Sequence, residues 1–204
     1  MNTWEQRSWL GAATLETVAE LNAQIVALLR AQCSANGVQS RLIQDVSHLL
    51  PNLDAASAKR LADCGVLLAD AGFACASRWT DAIVGGVNDG RLEPQPFFTV
   101  DGAVGVMRQV MTHAWHLARS EPAAARLLLG LSPASAALIG GCTLHRVTLL
   151  AETRAGWLRP RWEQRPSVWP DLLRMAAQGD AAALERLRVR SLQLLAADAR
   201  ASGP

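Results

Sequence analysis

The chain has 204 residues, half of them hydrophobic and 19% charged, so it can bury a core and is not disordered by composition. Its formal charge of +2 requires neither a nucleic acid nor an acidic protein as partner. The four cysteines (Cys33, Cys64, Cys75 and Cys142) include no CxxC pair, which argues against a zinc site and against a disulfide scaffold.

The first half of the chain shows helical periodicity. The apolar residues of the first predicted helix are Val18, Leu21, Ile25, Leu28 and Leu29. Thr17 and Glu20 are placed as its capping box, and Asn36-Gly37 as its stop. A short helix is predicted through Leu42 to Leu50, and Asp54 is placed to cap a third helix.

The helical pattern breaks around the midpoint of the chain. Asn88-Asp89-Gly90 and the stretch Glu93-Pro94-Gln95-Pro96 are typical of a linker. We therefore predict two domains, residues 1–100 and residues 101–204.

The second half of the chain also shows helical periodicity. The residues placed to start helices are Asp101, Pro122, Ser132, Thr143 and Asp180. Helix ends are predicted near Ser120 and at Gly130. No segment alternates with period two for long enough to predict a strand, so the sequence indicates an all-α protein. The predicted core joins both halves through Leu53, Leu61, Leu129, Leu131, Leu144, Val147 and Leu150.

Three pairs of segments are similar between the two halves. They are Leu53–Cys64 with Leu131–Cys142, Leu67–Asp70 with Leu149–Glu152, and Arg78-Trp79 with Arg161-Trp162. Alanine-rich helices resemble one another by chance, so the repeat alone leaves the question open. If the repeat is real, the fold consists of two pseudo-symmetric helical halves.

Two histidines provide the only metal-like spacing. His113 and His116 lie three residues apart on a predicted helix, a spacing that can ligate a metal. The nearby acids Asp101 and Glu121 have no arrangement that singles them out as further ligands. A polar helix edge beside Trp115 is the preferred interpretation, and we predict no metal site.

Catalytic motifs are not evident. The sequence has no Gly-x-Ser-x-Gly elbow, and the glycine pair within Val84–Val87 lacks the spacing and the lysine of a phosphate-binding loop. We therefore predict that the chain is not an enzyme and has no cofactor.

The segment from Arg154 to Arg190 is rich in arginine. It holds eight arginines against four acids, with Trp157, Trp162 and Trp169 between them. A guanidinium offers a planar fork of donors that suits phosphate and base edges. The candidates for DNA contact are Arg154, Arg159, Arg161 and Arg165. Alternatively, the tryptophans anchor a proline-rich loop onto the helices and the arginines solvate that loop.

An ordered run of anchors follows Pro122 without a gap. These anchors are Leu129-Gly130, Ala136, Thr143-Leu144 and Leu150–Thr153. In this order they resemble the FlhD family, whose members are subunits of the bacterial flagellar master transcriptional regulator. Arg161-Trp162 fall at the last two places of that family's aromatic-Arg-aromatic segment. The similarity covers about residues 107–173.

The resemblance implies a helical protein that pairs with a copy of its own kind. It implies a tandem of two FlhD-like repeats forming an intramolecular pseudo-dimer, the first repeat degenerate because Pro51-Asn52 replace the Leu-Gly pair. The interface candidates are Leu129, Leu131, Leu144, Leu150 and Cys75. Cys75 falls where the family often has a cysteine that links two subunits, whereas the second repeat has Leu158 there.

The resemblance also implies partners. The family assembles with a zinc-bearing subunit, FlhC, to bind promoter DNA and activate transcription, so the expected partners are an FlhC-like protein, DNA within that complex, and a second copy of the chain. The alternative function is a helical interaction module without direct DNA contact. No apolar run reaches the roughly 18 residues of a membrane span, and residues 1–11 lack the apolar stretch of a signal peptide. We therefore expect a cytoplasmic location and no membrane contact.

Overall fold

The computed structural model describes residues 11–34, 40–85 and 95–201. These residues are mostly helical, which confirms the all-α prediction. The helices are α1 (Ala12–Ser34), α2 (Arg41–Val46), α3 (Ala55–Ala62), α4 (Ala76–Val84), α5 (Val100–Ser120), α6 (Pro122–Leu129), α7 (Pro133–Gly140), α8 (Leu144–Thr153), α9 (Val168–Ala177) and α10 (Ala181–Ala201). A 3₁₀ turn spans Ala155–Trp157. Two short strands, β1 (Ala69–Asp70) and β2 (Arg159–Pro160), complete the described elements.

Local capping signals explain where most of the shorter helices begin. The side chains of Asp54, Ser132, Thr143 and Asp180 each accept the backbone N–H three residues later, as predicted. Gly130 ends α6 in the left-handed conformation that a helix C-terminus favours in glycine. Each of these signals acts within one turn of the chain.

Several predicted helix limits are wrong. α1 begins at Ala12, so Thr17 lies inside it and donates its hydroxyl to the carbonyl of Ala13 at 2.9 Å rather than capping the helix. α2 ends at Val46, before the predicted Leu50. Asp101 lies in the first turn of α5, where its charge favours the helix dipole, but it is not the cap.

Parts of the predicted stops and linker lie outside the described residues. These are Asn36-Gly37, Asn88-Asp89-Gly90 and Glu93-Pro94.

The hydrophobic core surrounds α5. This helix packs against α1 on one side and against α6, α7 and α8 on the other, and one cluster of buried side chains continues across both predicted domains. The predicted core residues that are buried are Leu53, Leu61, Leu129, Leu131, Val147 and Leu150. The prediction for Leu144 is wrong: it is 51% exposed, because it is the first residue of α8 and faces solvent.

The two strands join distant parts of the chain. β1 and β2 pair antiparallel, with Ala69 opposite Pro160 and Asp70 opposite Arg159. Two residues are too few to show a period-two pattern, so sequence periodicity could not reveal them.

α1 is long and apolar enough to match a membrane span by length and composition, contrary to the sequence estimate. Core helices of soluble proteins pass the same test. The face of α1 that carries Val18, Ile25 and Leu29 is fully buried against other parts of the chain.

The three similar segment pairs differ in how well their conformations agree. Leu53–Cys64 and Leu131–Cys142 each hold an N-cap followed by an eight-residue helix. Leu67–Asp70 leads into β1, however, whereas Leu149–Glu152 is helical. Arg78-Trp79 lie in α4, whereas Arg161-Trp162 follow β2 in a turn.

Candidate binding groove and its arginines

The tryptophans of the arginine-rich segment are anchors. Trp157, Trp162 and Trp169 are all buried. The indole N–H of Trp162 donates to Asp198 of α10 at 2.7 Å, and that of Trp169 donates to the carbonyl of Arg161 at 2.7 Å. Burial with a paired N–H is the usual state of a structural tryptophan. These contacts fix the segment onto the helices. This agrees with the alternative interpretation, in which the tryptophans anchor a proline-rich loop.

Arg161 occupies the centre of this segment and is only 6% exposed. Its Nε donates to the carbonyl of Leu67 at 2.9 Å, and its Nη2 donates to the carbonyls of Ala69 and Leu129 at 2.9 and 2.7 Å. Burial lowers the pKa of this guanidinium, while the nearby carboxylates of Asp70 and Asp198 oppose that shift. Arg161 therefore links its own segment to two others, residues 67–69 and Leu129.

Arg154 is also buried, with its guanidinium carbon 5.3 Å from the centre of the Trp157 ring. Burial leaves little of either guanidinium accessible, so neither Arg154 nor Arg161 is an open contact for the backbone phosphates of a DNA duplex in this conformation.

Arg159 and Arg165 are more accessible, and both are paired. Arg159 forms an ion pair with Glu163 at 2.8 Å and donates to the carbonyl of Gln95. Arg165 pairs with Asp198. A phosphate would have to compete with these carboxylates, so DNA contact by Arg159 and Arg165 stays a prediction.

The interface candidates fall into two groups. Leu129, Leu131 and Leu150 are buried within the chain, whereas Leu144 and Cys75 are exposed. The main chain around the first group meets the first half directly, since the Leu67 N–H donates to the Leu128 carbonyl at 2.8 Å.

Cys75 is a free thiol at the start of α4. Its Sγ lies 3.4 Å from the hydroxyl of Ser77, and this hydrogen bond lowers the pKa of the thiol. Leu158, its counterpart in the second half, is fully buried. A disulfide to a second copy through Cys75 stays a prediction.

The exposed Leu144 belongs to an apolar corner. Arg146 of α8 donates to the carbonyls of Ala82 and Ile83 at the end of α4, at 3.2 and 2.6 Å. This contact brings the end of α4 to the start of α8, where Val84 is 80% exposed and Leu144 is 51% exposed. We call Val84 and Leu144 the α4–α8 corner.

A groove of about 1100 Å³ is the main concavity at the arginine-rich segment. It lies between residues 159–165, the α6–α7 junction and the last turns of α10, and we call it the α10 groove. Its apolar lining includes Leu127, Leu131, Pro133, Leu192 and Leu195. Its charged lining comprises Arg126, Arg159, Arg161, Arg165, Asp70, Glu163 and Asp198.

Two of these arginines differ from the rest. Arg126 is exposed, and no carboxylate of the described residues lies within ion-pair distance of it. Arg161 uses Nε and Nη2 for its hydrogen bonds, and its Nη1 makes none with the residues that the structure describes. A Cβ on Gly130, another lining residue, would lie 2.6 Å from this Nη1, so only glycine leaves room for it.

Trp162 adds backbone strain to the wall of the groove. It has a φ of 59°, which is left-handed for a bulky residue. Such conformations cost roughly 1–3 kcal/mol and concentrate at binding and active sites.

The histidine pair forms no metal centre with its surroundings. In the described parts of the chain, no three His, Cys, Asp or Glu side chains are placed to hold a metal ion. Burial lowers the pKa of His113, and the neighbouring His116 lowers it further.

Sequence reasoning missed the α10 groove. Its lining runs from Asp70 to Ala201, so no local pattern could show it. Arg126 belongs to no sequence motif. It stands out only because the other accessible arginines of the groove are paired with carboxylates. In comparisons with known proteins, no family model, no curated protein and no solved structure matches the chain.

Proposed function

We propose that this chain is a helical protein-interaction module whose arginine-rich segment serves the fold rather than nucleic acid. The observation that carries the proposal is the use of the four candidate arginines: two are buried, and two are paired with carboxylates. Phosphate contacts need arginine or lysine donors, and donors already bonded to carbonyls or carboxylates have to give up those bonds to make them.

The α4–α8 corner is the proposed contact surface. Exposed apolar surface can mark an interaction site, and Val84 and Leu144 are two of the large apolar side chains that are exposed in the described chain. Leu144 was already an interface candidate from the FlhD-like anchors, and its exposure makes it available to a second protein. The proposed partner is an FlhC-like, zinc-bearing subunit, with self-association as the alternative arrangement.

A second candidate function is an FlhD-like transcriptional activator that itself touches promoter DNA within the complex. Its support is the ordered run of anchors, which coincides with real features of the chain: the glycine cap at Gly130 and the N-cap at Thr143. Arg159 and Arg165 are the partly accessible arginines that would make this contact.

Both candidates rest on a pseudo-symmetric architecture, which we also propose. In its support, each half has the same order of elements: a long helix, a short helix, an eight-residue helix, a two-residue strand and a further helix. α8, the 3₁₀ turn and α10 are additional in the second half. The antiparallel pairing of β1 with β2 is the arrangement that a two-fold axis between the halves would produce.

The test is to purify the chain with the product of a neighbouring gene that carries four metal-spaced cysteines, and to titrate promoter DNA into that complex across salt concentrations. The double variant Arg159→Gln/Arg165→Gln removes both accessible candidates. Arg174→Gln/Arg186→Gln is the matched control, since both control arginines are exposed and paired with acids outside residues 154–165.

The interaction module predicts the same salt dependence of DNA affinity in both double variants. The activator predicts that the slope of log affinity against log salt falls by about 0.9 for each lost phosphate contact, in the first double variant alone. That fall would overturn the interaction module.

The contact surface is tested separately with Leu144→Glu. If the α4–α8 corner binds the partner, this variant abolishes co-purification while its circular dichroism is unchanged. Val189→Glu is the control, because Val189 is equally exposed, at 50%, on α10. An intact complex with Leu144→Glu would exclude this corner as the interface.

A further inference from the structure

The α10 groove combines three properties that the proposed function does not use. It is concave and largely apolar, it is close in size to cavities that hold small molecules, and one arginine in its lining has a donor without an acceptor. Arg161 is the source of that donor, since its Nη1 has no hydrogen bond to the described residues. Nη1 is not among the fully buried polar atoms that lack a partner, so it is accessible from the groove and can donate to a ligand there.

The charges of the groove define that acceptor. Four arginines and three carboxylates line it, which leaves an excess of one positive charge. Arg159 and Arg165 are already matched by Glu163 and Asp198. Asp70 is the remaining acid, but its Oδ1 accepts the N–H of Phe73 and lies 3.9 Å from Nη2 of Arg161. A single negative charge would therefore complete the groove, whereas a doubly charged phosphate would exceed it.

The walls define the rest of the ligand. Leu127 and Leu131 stand on one side of the groove, and Leu192 and Leu195 of α10 stand on the other. Binding an apolar part of a ligand between these side chains would remove apolar surface from water, which is favourable. Trp162, whose backbone is strained, also lines the groove, and such strain is concentrated at binding sites.

We propose that the α10 groove binds a small organic acid, with its carboxylate at Arg161 and Arg126 and its apolar body between α6–α7 and α10. Arg161 supplies the donor without a partner, and the exposed Arg126 adds positive charge. The site is separate from the α4–α8 corner, so it does not depend on the proposed partner.

The test uses 4-phenylbutyrate and its neutral counterpart 4-phenylbutan-1-ol, which share one apolar body. Binding to the full chain is followed through the indole N–H resonances in ¹H–¹⁵N spectra, because the indole N–H of Trp162 is bonded at the groove. We expect saturable shifts with the acid, and an affinity about tenfold above that of the alcohol, the usual effect of a charge-assisted hydrogen bond.

Two variants locate the site without touching Arg161. Ala196→Glu places a carboxylate on the groove wall and should weaken 4-phenylbutyrate binding about tenfold. Ala197→Glu is the control: Ala197 is the next residue on α10, equally exposed, and outside the lining. Arg126→Gln should weaken binding about threefold, and Arg190→Gln, another exposed arginine without an ion-pair partner among the described residues, should leave it unchanged.

Three results would overturn the proposal. One is the absence of any saturable shift with 4-phenylbutyrate. Another is equal affinity for the acid and the alcohol, which would show that the groove does not recognise charge. The third is an equal loss with Ala196→Glu and Ala197→Glu, which would place the ligand elsewhere.

Discussion

The two Arg-Trp pairs of the chain use the same side chains in opposite ways. In α4, Trp79 is fully buried, stacked on Phe73 at 5.9 Å and edge-on to Trp157 at 5.2 Å, while Arg78 lies over the Trp157 ring at 3.9 Å. After β2, the Arg161 guanidinium instead donates hydrogen bonds to main-chain carbonyls. The Arg78 guanidinium therefore contacts a ring face, whereas the Arg161 guanidinium donates to carbonyls.

The surroundings of each pair explain the difference. Arg78-Trp79 lie in a helix, which satisfies its own backbone. Arg161 lies beside residues 67–69, whose carbonyls have no helix to pair them. A guanidinium with several donors in one plane can satisfy several such carbonyls at once. Similar residues in the two halves therefore serve different needs.

The largest test of this comparison removes each guanidinium in turn. Arg161→Met leaves the carbonyls of Leu67, Ala69 and Leu129 without this donor and should lower the free energy of unfolding by about 3–9 kcal/mol, at roughly 1–3 for each buried group. Arg78→Met loses a ring contact and should cost about 1–2 kcal/mol. Urea unfolding followed by circular dichroism measures both. Equal losses would mean that the two pairs are not different in kind.

The next test compares two leucines of α8 that the sequence treats alike. Leu150→Ala should lower the free energy of unfolding by about 2–5 kcal/mol, because Leu150 is buried. Leu144→Ala should change it by less than about 0.5 kcal/mol, because Leu144 faces solvent. The same urea experiment measures both. A loss below about 1 kcal/mol for Leu150→Ala would contradict the packing of α8 described here.

A smaller effect tests the cap of α7. Ser132→Ala removes the acceptor for the N–H of Ser135 and should cost about 1 kcal/mol in the free energy of unfolding. Ser120→Ala is the control, since that exposed hydroxyl donates to a carbonyl within its own helix, and it should change stability by less than about 0.5 kcal/mol. Thermal unfolding of the two variants distinguishes them. Equal melting temperatures would show that the Ser132 cap contributes nothing.

The smallest expected effect is a difference in how the caps at Asp54 and Ser132 respond to pH. The N–H of Ser57 lowers the pKa of Asp54 in the folded protein. A folded-state pKa below the unfolded value gives stability that is complete above the unfolded pKa, about 4, and is lost as the pH falls through the folded one. The Ser132 cap does not titrate. Asp54→Asn should therefore keep the cap and reduce the loss of stability on acidification, measured as the urea midpoint against pH. An unchanged acid profile would contradict this assignment.

Much of the fold could be predicted because its signals are local. The caps at Asp54, Ser132, Thr143 and Asp180 and the stop at Gly130 each depend on a few neighbouring residues. The predicted cap at Thr17 was wrong because a threonine hydroxyl within a helix can donate to the carbonyl four residues earlier. Local pattern alone does not separate these two uses of a threonine.

The candidate site was less predictable because its partners are distant in sequence. Charge pattern identified Arg161 and Arg165 but could not show that one meets residues 67–69 and the other meets Asp198. The prediction for Leu144 was wrong for a related reason. Helical spacing places it on the same face as the buried Val147 and Ala151, yet it is the first residue of α8 and lies beyond the edge of the core. Such outcomes depend on tertiary packing.

The long reach of Arg161 has a consequence for synthesis on the ribosome. Its bond to the Leu67 carbonyl joins residues 94 positions apart, and Arg188 reaches the Asp63 carbonyl across 125. At roughly 5–20 residues per second, the earlier segment waits about 5–20 s for Arg161 to be made. During that interval β1 has no partner strand, and the carbonyls around it are open. We therefore expect that the nascent chain does not complete its core one half at a time, and that a polypeptide that stops before residue 161 is recognised by chaperones and proteases as unfolded.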